Sequence, residues 1–176
     1  MIFEHLIRIN DPQVMGLEPL SRQQLWMGLV ARAWHPTRFV LGLESAEILS
    51  EQQHPHGTVI ERKLNFGNFT VQDEVELQTH ERTVFKVKPN ALMGAATLTI
   101  AIEEPEPEAL FLRFRYEVSE GPESHGSDDV SAAQLQEARK QAYLAADIDT
   151  VKMIREIARA TPTDDLSQPI QPPAAR

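Results

Sequence analysis

The sequence predicts an α+β domain in which a curved antiparallel sheet of about seven strands packs against one long C-terminal helix. Three observations carry that expectation. From about 44 to 118 the chain is almost entirely strand-like, with short loops rich in turn formers, so neighbouring strands must pair antiparallel. An earlier alternating segment, residues 2–9, adds a first strand and is followed by a short helix. Residues 131–160 then read as a single helix, roughly 45 Å long at 1.5 Å per residue.

Each element has a local cause. Phe3, His5, Ile7 and Ile9 share one face of the first strand, which Asp11-Pro12 ends. Ser21-Arg22-Gln23-Gln24 is a capping box, flanked by Leu20 and Leu25 as a hydrophobic staple. Trp26, Leu29, Val30 and Ala33 recur at helical spacing, giving a helix from about 22 to 34 that His35-Pro36 stops. Strands follow near 44–51, 57–66, 69–78, 82–88, 94–103 and 109–118. They are joined at His54-Pro55-His56-Gly57, Gly67-Asn68, Lys88-Pro89-Asn90 and Glu104-Pro105-Glu106-Pro107. In the last strand Leu110, Leu112, Phe114, Tyr116 and Val118 form the core side, and Phe111, Arg113, Arg115 and Glu117 the wet side. Residues 119–130 form a polar loop, and Thr161-Pro162 ends the final helix. One domain is expected over residues 1–160, with 161–176 a disordered, proline-rich tail.

Composition narrows the function classes. The chain has 176 residues, a formal charge of −9 and no cysteine. The acidic balance argues against a nucleic-acid partner and gives no attraction to anionic lipid. Disulfides, a thiolate nucleophile and a cysteine-bound metal are excluded. No apolar run is long enough for a membrane span, and the N-terminus lacks the pattern of a signal peptide, so a cytoplasmic location is expected. Asn68-Phe69-Thr70 is then a chance sequon on a hairpin.

Charges on apolar faces mark the candidate site. With Gly67-Asn68 as a two-residue turn, Arg62 lies opposite Asp73, among Ile60, Leu64, Phe66, Val71, Val75 and Leu77. Opposite charges across strands attract, but an inward pair is unusual and suggests a cavity. On the last helix Asp147 falls in the middle of a very wide apolar face, which implies cover on more than one flank. Its expected partners are the Tyr143 hydroxyl, the Thr150 hydroxyl or Arg62. Arg62, Asp73, Tyr143 and Asp147 are the polar ligand-binding candidates, joined by Tyr116 and Trp34; Asp147 and Asp73 are the acid/base candidates.

The segments Met1-Ile2-Phe3-Glu4-His5, Glu18 to Trp26, Phe66 to Asp73 and Ala142 to Val151 resemble the AtaL-like family. That family lies within the SRPBCC superfamily of START, polyketide-cyclase and birch-pollen-allergen proteins. The element order also matches the helix-grip fold of that superfamily, and the resemblance covers about residues 1–160. It implies a deep hydrophobic cavity between sheet and last helix, with Trp34, Arg38 and Phe39 near its mouth. Members bind lipids, steroids, polyketides or plant hormones, and some catalyse cyclisation or dehydration.

Other signals carry less. His54 and His56 read as a polar turn, since no third ligand is near in sequence, and no metal is expected. His5 faces the apolar side of the first strand; it could enter the cavity as an acid or base, but a satisfied core histidine is the favoured reading. Ser124-His125 lacks triad geometry, Asp147 and Asp149 point in different directions, and no phosphate-binding loop supports a nucleotide cofactor. Arg113 and Arg115 are expected to pair with surface acids such as Glu103. The leading reading is a domain that binds a small hydrophobic or amphipathic molecule, with a second copy of the chain as a candidate protein partner. The alternative is a cyclase- or dehydratase-like enzyme using a cavity carboxylate; a protein-interaction domain is third. Whether the chain is an enzyme is left open.

Overall fold

The computed structural model describes residues 1–119 and 129–161. Its elements are β1 (Ile2–Arg8), α1 (Arg22–Trp34), a 3-10 turn (Pro36–Arg38), β2 (Ser45–His54), β3 (Gly57–Asn65), β4 (Thr70–Gln78), β5 (Arg82–Val87), β6 (Ala96–Glu103), β7 (Phe111–Val118) and α2 (Asp129–Ala160). The seven strands form one antiparallel sheet in the order β1-β7-β6-β5-β4-β3-β2. This is the expected helix-grip arrangement. The expected Ser124-His125 loop and most of the expected tail lie outside the described residues.

Turn chemistry sets the strand limits. β2 runs on to His54, because Pro55-His56 alone makes the turn and His54 pairs with Gly57. Gly67 supplies the positive φ, 85°, that the β3–β4 turn requires, and Phe66 N–H donates to Phe69 O at 3.0 Å. At α1 the capping box is complete. The Ser21 hydroxyl accepts from Gln24 N–H, and the Gln24 side chain accepts from Ser21 N–H.

The register lines up inward-facing residues in rows across the sheet. One row is Phe3, Tyr116, Leu98, Phe85, Val75 and Ile60. The next, one step toward the end of β1, holds His5, Phe114, Ile100, Thr83 and Leu77. On the other side of the first row, Val87, Asp73 and Arg62 fall in line. The outer face carries ion pairs instead: Arg113 bonds Glu103 and Glu4, as expected of it, and Arg115 bonds Glu117 and Glu4.

Two contacts seat α2. Gly28 of α1 lies so close to Ile154 of α2 that a Cβ there would stand 2.5 Å from the isoleucine side chain. The missing side chain is what lets the helices meet. Arg155 then donates to Glu18 O at 2.8 Å and to Ile9 O, tying α2 to the chain between β1 and α1. The wide apolar face expected of this helix is not covered on both flanks. Asp147, Thr150, Val151 and Ile154 are buried, whereas Leu135 is 61% and Ile148 42% exposed. The sheet and α1 reach only one side of its second half.

Candidate functional site

Arg62 and Asp73 meet as the alternation requires, and both are buried. Arg62 Nε donates to Asp73 Oδ1 at 2.9 Å and Nη2 to Oδ2 at 2.5 Å. Its Nη1 donates to Ala33 O at 2.7 Å, at the end of α1. The last carbonyls of a helix have no partner within it and carry the negative end of its dipole, so the guanidinium caps α1 while it pairs β3 to β4. Both carboxylate oxygens of Asp73 are taken. Read from sequence as polar groups facing a cavity, these two serve in the structure as a brace.

Asp147 has a different environment. Only 1% exposed, it accepts from the Tyr116 hydroxyl through Oδ1 at 2.6 Å. Oδ2 lies 3.2 Å from His5 Nε2, out of line for a hydrogen bond, and is left without a partner. None of the partners expected from sequence is used. Thr150 returns its hydroxyl to Ala146 O within α2, Arg62 is held by Asp73, and Tyr143 stacks on Tyr116 with ring centroids 3.9 Å apart. Phe3 lies beside both tyrosines, and His5 stacks on Phe114.

These surroundings fix the protonation states. Burial pushes the Asp147 carboxyl up to about 7, against the opposing pull of the Tyr116 hydrogen bond and the Arg32 charge. Burial also lowers the pKa of His5, keeping its imidazole neutral at neutral pH. Tyr116 is raised by burial first and then by Asp147, so its hydroxyl stays a donor. The carboxyl is therefore poised to hold or release a proton near pH 7.

Two more groups face this interior. Arg32 of α1 sets its guanidinium 4.5 Å from the centre of the Phe85 ring, and its Nε is sealed off without a partner. Thr83 is fully buried and its hydroxyl has no hydrogen bond. Trp34 is half-buried and packs against the main core at the end of α1, without a polar contact to the cluster. A concavity of about 790 Å³ lies elsewhere, between the β1–α1 and β6–β7 connections, and is lined by none of these residues. Among the described residues no acidic and histidine side chains cluster as metal ligands. No helix among them is long and apolar enough to cross a membrane.

The alternation allowed His5 as an acid or base in the interior but favoured a satisfied core histidine, whereas neither of its nitrogens has a hydrogen-bond partner among the described residues; Arg32 was not singled out from the sequence. Arg32 had a signal in the spacing: it falls three residues after Leu29 and seven after Leu25, on the buried stripe of α1. His5 alternated inward, but no residue near it in sequence pointed to Asp147.

A curved antiparallel sheet closed by a long C-terminal helix, with polar groups aimed between them, defines a helix-grip protein. Solved structures agree on that fold. The di-domain aromatase/cyclase StfQ of the steffimycin pathway aligns at a TM-score of 0.62 and 14% identity, over 90% of this chain and 51% of StfQ. The chain thus spans about half of StfQ. The Zhui aromatase/cyclase from a Streptomyces species aligns at 0.60 and 13%, over 93% and 97% of the two chains. Ara h 8.0201 aligns at 0.55 and 12%, over 92% and 99%. No curated protein matches. The chain belongs to the AtaL family, described as acetylaranotin biosynthesis cluster protein L, whose model matches residues 7–161.

Two outcomes follow from the cluster's chemistry. Arg62→Met strands the Asp73 charge in the core and lowers stability in urea unfolding by about 3–5 kcal/mol. Adding Asp73→Leu recovers much of that loss; a neutral single variant would contradict the brace. For Asp147, the folded pKa lies above the unfolded one, so the unfolded chain ionises first. Its contribution to stability falls as pH rises from the ordinary 3.8 to about 7 and is level above that. Asp147→Asn therefore gains stability relative to the native protein across that window, measured by urea unfolding at a series of pH values.

Proposed function

We propose that this chain binds a small, largely apolar molecule between the sheet and α2, with Asp147, Tyr116 and His5 as the polar end of the site. The observation that carries this reading is the buried Asp147 Oδ2, which has no hydrogen-bond partner in a wall otherwise made of aromatic rings. A buried polar atom left unanswered costs about 1–3 kcal/mol, and a ligand hydroxyl or carbonyl would answer it. Tyr143, stacked on Tyr116, extends the aromatic wall. Trp34, half-buried at the end of α1, packs against the same core, and Arg62 with Asp73 hold that end of the helix.

A second reading is favoured by the burial of Asp147 with Oδ2 free to meet a ligand, an environment that pushes its carboxyl up toward neutral pH. In that reading Asp147 takes a proton from a carbon next to a carbonyl. The C–H bond breaks, its electron pair moves onto the carbonyl oxygen as an enolate, and Asp147 returns the proton later in the reaction. StfQ and Zhui, which share the fold, are described as aromatase/cyclases, and the family's description names a biosynthetic cluster. Both support a place for this chain in making or handling such molecules.

Native mass spectrometry of freshly purified protein tests the first reading. A small molecule travelling with the chain and released on denaturation is expected; a bare mass, with no binding from a panel of apolar acids, alcohols and ketones, would sink it. Asp147→Asn separates the two readings. An enzyme loses about 10²–10⁴-fold in turnover with ligand affinity nearly intact, whereas a binding protein yields no product in either form.

A further inference from the structure

We infer that Arg32 is the anion-receiving end of this interior, a subsite for the carboxylate of a flat, mostly apolar acid about 10 Å long. The inference rests on the ligand-binding reading and names its ligand class.

Two guanidinium groups share the ring of Phe85: Arg32 at 4.5 Å from its centre and Arg62 at 5.4 Å. Arg62 is fully answered, by both oxygens of Asp73 and by the carbonyl of Ala33. Arg32 is not. Among the described residues its side chain makes no hydrogen bond and no salt bridge, and its Nε is shut away from solvent without a partner. The face of an aromatic ring attracts a cation, but it cannot accept the N–H bonds of a guanidinium in their own plane. The Nε–H of Arg32 is thus a buried donor without an acceptor, on a side chain that as a whole is half-buried.

The charged neighbours sharpen the point. Arg62 repels Arg32, while Asp73 and Asp147 attract it from a distance. Asp73 is already committed to Arg62, and Asp147 to the Tyr116 hydroxyl. A carboxylate brought to Arg32 would give Nε its acceptor, add a second charge-assisted bond and neutralise a half-buried cation that has no ion pair among the described residues. A single guanidinium between apolar walls suits one negative charge better than a phosphate dianion.

The sheet sets the length. Phe85 and Tyr116 stand in the same inward row with Leu98 between them, two strand spacings or roughly 10 Å apart. A ligand with its carboxylate at Arg32 therefore lays its body over Leu98 and reaches the Tyr116–Asp147 pair with its other end. That is about the length of two fused rings.

Calorimetric titration with naphthoate and with the neutral naphthylmethanol tests this. The native protein is expected to bind the acid at least about tenfold more tightly, the value of one charge-assisted bond. Arg32→Gln removes that preference by weakening naphthoate alone, and Arg32→Lys restores part of it. Equal affinity for the two probes in the native protein, or an unchanged preference in Arg32→Gln, overturns the assignment and leaves the ligand-binding reading standing. Binding of neither probe overturns the assignment, while the ligand-binding reading falls only if the native mass is also bare and the wider panel fails. Should Arg32→Gln fail to fold, NMR of the native protein decides: the Arg32 Nε–H resonance shifts with naphthoate and not with the alcohol, and a resonance unmoved by naphthoate contradicts the subsite.

Discussion

The fork between Arg62 and Asp73 positions most of what matters in this molecule. It joins β3 to β4 and, through Ala33 O, fixes where α1 ends above the sheet. With that end held, Arg32 has little choice but to lie over Phe85. The same helix offers Gly28 to Ile154, so the seat of α1 also becomes the seat of α2 and brings Asp147 down onto Tyr116 and His5. Burying two charges costs several kcal/mol each, and a geometry this complete is what offsets it.

The interior polar groups divide into two kinds. Arg62 and Asp73 satisfy each other and the backbone, and a satisfied buried network makes a fold rigid. Among the described residues, Asp147 Oδ2, both nitrogens of His5, Arg32 Nε and the Thr83 hydroxyl make no hydrogen bond. Folded proteins seldom leave such atoms unanswered, and five of them around one sheet–helix interface are hard to attribute to stability. They are the atoms that the proposed ligand would answer. The raised pKa of Asp147 has the same origin, a carboxyl surrounded by rings instead of water.

Alternation and turn residues made the sheet legible in the sequence, down to the pairing of Arg62 with Asp73 through Gly67-Asn68. Capping residues did the same for α1. The partners of Asp147 were not legible. A helical wheel shows that a carboxylate faces inward but not which strand it meets, and its nearest polar residues in sequence, Tyr143 and Thr150, were expected in the part that Tyr116 takes. The cover of α2 was misjudged for a related reason. Apolar residues such as Leu135 and Ile148 fit a buried helix, but only the packing reveals that one flank stays open.

Everything proposed here for the interior depends on Asp147 being a carboxyl that water does not reach. Carbon-13 NMR of its side-chain carboxyl, followed across pH in the intact protein, reads that directly. A midpoint near 7 is the expected result. A midpoint at the ordinary aspartate value, near 3.8, would mean a solvated carboxylate and contradict the account.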